Sequence, residues 1–216
     1  MELSLREPAS AITHFIAALM VLGGGIPLLI KSYENNGIYG LIAMLIFLIG
    51  MIGLYMASAT YHSYTGEEKR IKVLRKIDHM MIYIMIAGSY TPVCLLALDP
   101  AEGHRILAIV WTFAIVGMAM KYFWITCPKW LSSTIYIAMG WVILSAGPNI
   151  LNCLSDAAFG WLLAGGLIYT VGGIVYALKL NVFNAKHTFW NSHAIFHLFI
   201  MAGSFCHFVF MYQYIA

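Results

Sequence analysis

The sequence predicts an all-α, polytopic membrane protein with seven transmembrane helices. Hydrophobic residues make up 62% of the 216 positions and charged residues only 10%, whereas soluble domains are about 45–50% apolar and about 25% charged. The apolar residues fall into runs of about 20, the length that a helix needs to cross a bilayer. The short connections leave no room for a sizeable extramembrane domain, so residues 1–216 are expected to form a single seven-helix domain.

Seven apolar runs, separated by short polar or Gly/Pro-marked breaks, define the predicted helices. They cover residues 8–30, 38–62, 77–98, 105–125, 131–149, 157–179 and 189–214. The first run is too long for the core of a signal peptide and has no obvious cleavage site, so it is expected to remain as a helix. Pro92 lies inside the third run, where neighbouring membrane helices can tolerate a kink.

The distribution of Lys and Arg predicts the orientation of these helices. With seven spans, the N-terminus and loops 2–3, 4–5 and 6–7 share one side, and all basic residues except Lys31 and Arg105 lie there. By the positive-inside rule the N-terminus is cytoplasmic and the C-terminus external. The basic cluster at 69–76 also suits anionic lipid headgroups. We therefore expect a multi-pass protein of the inner (plasma) membrane, surrounded by membrane lipid.

The net charge and the cysteines argue against other classes of protein. A formal charge of +3 is small, and its placement is explained by topology, so no nucleic-acid partner is expected. The four cysteines have no ligand spacing and are expected to be small buried hydrophobic residues. No disulfide framework is implied, and the sequence does not say whether the chain has a protein partner.

Ionisable side chains inside a bilayer are costly, so each one within a predicted helix is a candidate functional residue. His62 ends the second helix, Asp78 begins the third, and His193 and His197 lie in the first turns of the seventh. In the predicted topology all four lie near the cytoplasmic face. Ser58 lies one helical turn from His62 on the same helix face. These five groups share one depth and would meet if the three helices are neighbours.

The spacing of His193 and His197 at i and i+4 allows both to bind one metal ion. A third histidine, His62, would complete the three-ligand set of a catalytic zinc, with a fourth position left for water. Zinc lowers the pKa of such a water to about 7. The segment lacks the glutamate of the HExxH motif, so Asp78 is the candidate to orient or deprotonate the water and Ser58 to donate a hydrogen bond. The alternative is a structural pairing of histidines with neighbouring carbonyl groups.

Other polar residues have more than one interpretation. His14 in the first helix could contact and support the ligating histidines without binding the metal, or it could be purely structural. His207 lies ten residues past His197, about 15 Å deeper at 1.5 Å per residue, and is too distant to join the same site. His79 is expected to face away from the aspartate that precedes it. Glu7 could pair with the basic loop, but capping the first helix is favoured.

At these residues the sequence resembles the hemolysin III family, the bacterial branch of the progestin and adipoQ receptor family. The matching segments run the length of the chain and are residues 7, 13–14, 57–62, 76–79, 87–92, 138–141, 193–197 and 203–208. The resemblance implies a seven-helix fold with a cytoplasmic N-terminus and a zinc ion near the cytoplasmic side. By motif it implies the ligands His62, His193 and His197, with Ser58 and Asp78 beside them.

The wider superfamily, which includes alkaline ceramidases, is associated with hydrolysis of lipid amides. The resemblance and the ligand set together favour a zinc-dependent hydrolase of lipid-like amides or esters, acting in membrane lipid homeostasis. One alternative is a lipid or membrane-state sensor or receptor with structural zinc. Another is a lytic protein, as the family name suggests.

Overall fold

Every described element of the chain is helical. The computed structural model describes residues 5–147, 149–178 and 192–216. The α-helices are α1 (Pro8–Ser63), α2 (Glu68–Leu96), α3 (Pro100–Phe123), α4 (Lys129–Gly140), α5 (Asn149–Cys153), α6 (Asp156–Ala177) and α7 (Ser192–Phe210). A 3-10 turn, Val142–Ala146, follows α4, and a π turn, Met211–Ile215, follows α7. The predicted break at 180–188 lies outside the described residues.

The first element is a helical hairpin that bends at Gly37. Its 56 residues would extend about 84 Å at 1.5 Å per residue, far more than the roughly 30 Å hydrocarbon core. Gly37 has φ 62° and ψ −154°, a conformation that is essentially restricted to glycine. The first arm (8–36) and the second arm (38–63) run antiparallel, since the Glu7 amide donates to the His62 carbonyl at 3.0 Å.

The buried core lies between the second arm of α1, α2, α3 and α7. α1 packs against α2, α2 against α3, and α6 against α7, while α4 packs against α6. Phe47, Tyr55, Tyr83 and Phe210 are among its largest fully buried side chains. Many large apolar side chains instead face outward, such as Met20 at 62% exposure. This outward apolar surface is the one that a bilayer would cover.

Five described runs are long and apolar enough to cross a membrane, with α1 counted as one run. The predicted fifth span, 131–149, is the one that differs, because α4 ends at Gly140 and gives way to the 3-10 turn. The Tyr90 hydroxyl of α2 lies at this break. It donates toward the carbonyl oxygens of Met139 and Gly140, at 3.1 and 2.6 Å, and accepts from the Ile143 amide at 3.0 Å. Side-chain partners of this kind allow a helix to break inside a membrane protein.

Two cysteines differ from the expectation of small buried hydrophobic residues. Cys153 is exposed. Cys127 is buried but lies among polar groups, with its Sγ 3.1 Å from both Lys121 Nζ and Ser132 Oγ. The other two are buried, and all four are free thiols.

Candidate metal centre

Three imidazole rings from two distant helices meet at one end of the fold. His193 and His197 lie one turn apart on α7, and His62 lies at the end of the second arm of α1. His193 Nε2 is 3.3 Å from His62 Nε2 and 3.2 Å from His197 Nε2. The three ligand nitrogens all lie within 4.8 Å of one another. The structure therefore brings together the three histidines that the sequence selects as metal ligands.

These separations suit a metal ion better than a chain of hydrogen bonds. Tetrahedral zinc with Zn–N bonds of about 2.0–2.1 Å holds two nitrogen ligands about 3.4 Å apart. An imidazole nitrogen has either one hydrogen or one lone pair in the ring plane. His193 Nε2 therefore cannot form two well-directed hydrogen bonds at once, to His62 and to His197. A cation placed between the three nitrogens would engage all three lone pairs.

Glu7 holds the other nitrogen of His62. Its Oε2 lies 3.0 Å from His62 Nδ1, and the pKa of Glu7 is lowered, chiefly because the close contact with the His62 ring stabilises the carboxylate. Glu7 precedes α1 but makes no side-chain capping bond, so the favoured prediction of a helix cap is wrong. A carboxylate in this position fixes the tautomer and orientation of a ligating histidine.

His14, from the first arm of α1, packs against the cluster. Its ring stacks on His197 with the ring centroids 3.7 Å apart and the planes 16° from parallel. It also meets Tyr55 edge-on, with the centroids 5.0 Å apart. His14 is 3% exposed. The side chain thus limits the movement of the His197 ring, in the supporting position that the sequence allowed for it.

Asp78 and Ser58 line the same cavity as His14, His193 and His197. Both are buried, at 7% and 1% exposure. The Asp78 carboxylate pairs with a histidine outside the cluster.

That partner is the neighbouring histidine of α2. Asp78 Oδ2 lies 3.3 Å from His79 Nδ1, and this nitrogen is also 2.9 Å from the Arg75 carbonyl oxygen. The expectation that His79 faces away from Asp78 is wrong. A contact between adjacent residues depends on side-chain rotamers rather than on helical spacing, so no sequence pattern predicts it.

The cavity beside the cluster has a volume of about 130 Å³, measured as the space open to the centres of water molecules. Near the histidines its wall includes polar side chains from α2 and α4, Asp78 and Ser133. Farther in, the wall is largely apolar, with Ile82, Met85 and Ile200 among its residues. A polar site that opens into an apolar cavity suits an amphiphilic ligand.

Membrane-length helices around a buried histidine cluster define the class: a polytopic membrane protein with a candidate metal centre. A family model described as haemolysin-III related matches residues 4–208. The chain belongs to that family, as its motifs predict, and the prediction of an all-α, multi-pass membrane protein is confirmed with it.

Named relatives agree with this assignment. The chain is 35% identical over 199 residues to a hemolysin-3 homolog of Bacillus subtilis (strain 168), covering 92% of this chain and 89% of the relative. It is 36% identical over 199 residues to hemolysin-3 of Bacillus cereus, covering 92% and 87%. A more distant relative is the adiponectin receptor protein of Drosophila melanogaster, 24% identical over 217 residues that cover 94% of this chain and 49% of the relative.

Proposed function

We propose that this protein is a zinc-dependent hydrolase of lipid-like amides or esters that affects membrane lipid homeostasis. One observation carries the proposal: three converging imidazoles lie at the polar end of a mostly apolar cavity inside a membrane protein. His62, His193 and His197 are the proposed ligands. Three protein ligands are the number that catalytic zinc sites use, since the fourth position is left for water or substrate.

Each proposed site residue has a task that its position supports. Bound zinc would supply an activated water at neutral pH and polarise the substrate carbonyl. Asp78 would orient the attacking water and accept its proton, because it is the carboxylate on the cavity wall. Ser58 would donate a hydrogen bond to the substrate, and the apolar wall would hold the acyl chain away from water.

We further propose seven membrane crossings, with the N-terminus in the cytoplasm, in the inner (plasma) membrane. The two antiparallel arms of α1 supply two crossings, and α4 with its 3-10 turn supplies a shorter one. The histidine cluster then lies near the cytoplasmic face. Basic residues gather at that end, including Lys76, which lies over the Tyr122 ring at 4.7 Å, and Lys129, which lies over the Tyr176 ring at 4.3 Å.

A second function is favoured by the relative whose name is adiponectin receptor protein. In this alternative the zinc is structural, and the helices respond to a lipid or to the state of the membrane. The same cavity would then bind its ligand without turnover. A metal-free variant that keeps its fold and its physiological effect would support the sensor over the hydrolase.

The names of the Bacillus relatives suggest a third, lytic function. It is disfavoured because a released lytic protein must be soluble before it inserts, and a chain that is 62% hydrophobic would not be. Leakage of liposomes through discrete conductance steps that do not require zinc would favour lysis.

Two measurements on the purified protein test the hydrolase proposal. Elemental analysis should find zinc in the wild type but not in His62→Ala. The control is His104→Ala, which should keep its zinc because His104 is an exposed histidine on α3. Hydrolysis should then be assayed against ceramide and phospholipid libraries, with His193→Ala as the inactive variant. Turnover that is unaffected by His193→Ala would contradict a metal-dependent reaction.

A further inference from the structure

A second polar cluster lies where α3 ends and α4 begins. It consists of Lys121 in the last turn of α3, Cys127 in the connection that follows, and Ser132 in the first turn of α4. Lys121 Nζ is 3.1 Å from Cys127 Sγ and 2.5 Å from Ser132 Oγ. The sulfur and the hydroxyl oxygen are themselves 3.1 Å apart. An amine, a thiol and a hydroxyl group are therefore in mutual contact.

The lysine is the most unusual member of this cluster. Lys121 is 1% exposed, although lysine is almost never fully buried unless it is paired. None of the ion pairs formed by the described residues includes it. Of its two hydrogen-bond partners, the thiol is the one that can give up its proton. A thiolate at this position would offset the cost of burying the ammonium group.

Helix capping does not account for the arrangement. A lysine in the last turn commonly interacts with the final carbonyl groups of its own helix. The described hydrogen bonds of Lys121 Nζ instead go to side chains that lie beyond α3, one in the connection and one in α4. The packing of the two helices thus holds an amine against a thiol.

The thiol lies just beneath the surface of the protein. Cys127 is 6% exposed, while Thr126 and Pro128 on either side of it are exposed. Hydrogen peroxide is uncharged and close to water in size, so it needs only a small opening to reach the sulfur. A thiol beside a lysine has more thiolate character, and the thiolate is the form that peroxide oxidises.

Oxidation of this thiol would leave a sulfenic acid in contact with the amine. Hydrogen peroxide transfers one oxygen to sulfur, its O–O bond breaks and one water is released. The oxidised sulfur is no longer an anion, so the buried ammonium group loses its counter-charge and releases a proton. The neutral amine then attacks sulfur. An S–N bond forms, the S–O bond breaks, and the hydroxyl group leaves as water with one hydrogen from the nitrogen.

We propose that hydrogen peroxide converts Lys121 and Cys127 into a covalent sulfenamide. Overall, the thiol, the ammonium group and one peroxide give the S–N bond, two waters and one proton. Sulfur is oxidised by two electrons and the peroxide is reduced by two. The bond would tie the end of α3 to the chain entering α4, and Ser133 of α4 lines the cavity. The modification does not depend on hydrolase activity, so its test leaves the proposed function untouched.

Tryptic mapping of the purified protein, with and without hydrogen peroxide, tests for this bond after free thiols have been blocked. Trypsin cuts after Lys121 and Lys129, so the untreated protein yields residues 106–121 and 122–129 as separate peptides. A lysine whose amine is bonded to sulfur is no longer cut. Peroxide should therefore yield a single peptide, 106–129, about 2 Da lighter than its unmodified form because two hydrogens are lost. Dithiothreitol followed by fresh trypsin should restore cleavage after Lys121.

The exposed Cys153 shows in the same sample whether peroxide has oxidised the protein. A dimedone probe that reacts with sulfenic acids should label it. Labelled Cys153 together with unchanged cleavage after Lys121 at every peroxide dose would overturn the proposal. A link that blocks cleavage after Lys129 instead would also overturn it, because Cys127 would then have bonded to a different amine.

Two substitutions each remove one of the reacting atoms. Cys127→Ser replaces the thiol with a hydroxyl group, so cleavage after Lys121 should survive every dose of peroxide. Lys121→Gln removes the amine, so its peptide 106–129 should gain oxygen at Cys127 and should not lose two hydrogens. Loss of cleavage in Cys127→Ser, or loss of two hydrogens in Lys121→Gln, would show that the bond joins other atoms. The wild-type map decides the proposal by itself if either variant fails to fold.

Discussion

His62 presents its two ring nitrogens to different partners. Nε2 faces His193 at 3.3 Å, and Nδ1 faces Glu7 Oε2 at 3.0 Å. The amide of Glu7 also donates to the His62 carbonyl at 3.0 Å, so backbone and side chain hold the same pair together. Histidine ligands of metals usually donate their other nitrogen to a carboxylate or a carbonyl.

Removing the charge of Glu7 should therefore weaken metal binding without removing a ligand. We expect Glu7→Gln to lower zinc affinity by about 10–100-fold, the usual effect of losing such a supporting partner. Competition with a chelator measures the change. Glu67→Gln is the control, because the exposed Glu67 pairs with Arg70 on the surface, at 3.4 Å. Equal affinities in the two variants would show that Glu7 does not support the site.

Asp78 should affect chemistry rather than metal binding. We expect Asp78→Asn to keep its zinc and to lower hydrolysis of the lipid substrate by about 10²–10⁴-fold, as for loss of a general base. Asp99→Asn is the control, since Asp99 caps α3 through the Ala101 amide at 3.0 Å and Asn caps about as well. Zinc loss in Asp78→Asn would instead make Asp78 part of the metal shell.

At the scale of the helices, breaks in hydropathy mark the edge of the apolar region rather than the end of the helix. The predicted break at 31–37 is helical up to Gly37, and the predicted loop at 65–76 is helical from Glu68 onward. A helix satisfies its own backbone hydrogen bonds whether lipid or water surrounds it. Polar side chains can therefore extend a membrane helix beyond the bilayer, and hydropathy alone does not locate the turn.

The bend of α1 can be tested with two glycine substitutions that should change the stability of the protein in opposite directions. Gly37→Ala should destabilise the fold by about 1–3 kcal/mol, because its φ of 62° and ψ of −154° strain any other residue. Gly23→Ala should stabilise the helix by about 0.5–1 kcal/mol, since its Cβ would meet nothing within 4 Å. Thermal unfolding in detergent measures both. A Gly37→Ala variant as stable as the wild type would contradict the bend.

The break after α4 shows the limit of apolar patterns within one helix. Residues 131–149 read as a single span, but Tyr90 of α2 binds the backbone at Met139, Gly140 and Ile143. This side chain offers partners that a continuous helix would supply for itself. Whether this segment is one continuous helix or breaks after Gly140 therefore depends on a neighbouring helix, so no local pattern could predict the break.

For the whole molecule, polar contacts join distant segments at each end of the bundle. At one end Glu7 meets His62. At the other, Lys31 Nζ donates to the Tyr212 carbonyl oxygen, and Asn35 donates to that of Ala216 at 3.2 Å. The hairpin tip and the C-terminus therefore share one end, as the predicted topology requires.

The single exposed cysteine among the four tests the orientation. Cys153 lies between the predicted fifth and sixth spans, on the side predicted to be external, while the other three cysteines are buried. A membrane-impermeant maleimide added to intact cells, or to spheroplasts where an outer membrane is present, should label the wild type but not Cys153→Ser. Labelling only after the membrane is opened would reverse the predicted topology.

The sequence by itself determined the membrane class and the family and selected three histidines as candidate ligands, whose convergence only the helix packing decided. These follow from properties carried by single residues and short spacings: the cost of polar groups in lipid, and the i, i+4 pairing on a helix. Only the tertiary structure decided that Glu7 holds His62, that His14 stacks on His197, and that His207 lines the same cavity. Those contacts join separate helices, and their geometry depends on how the helices pack, which no local pattern records.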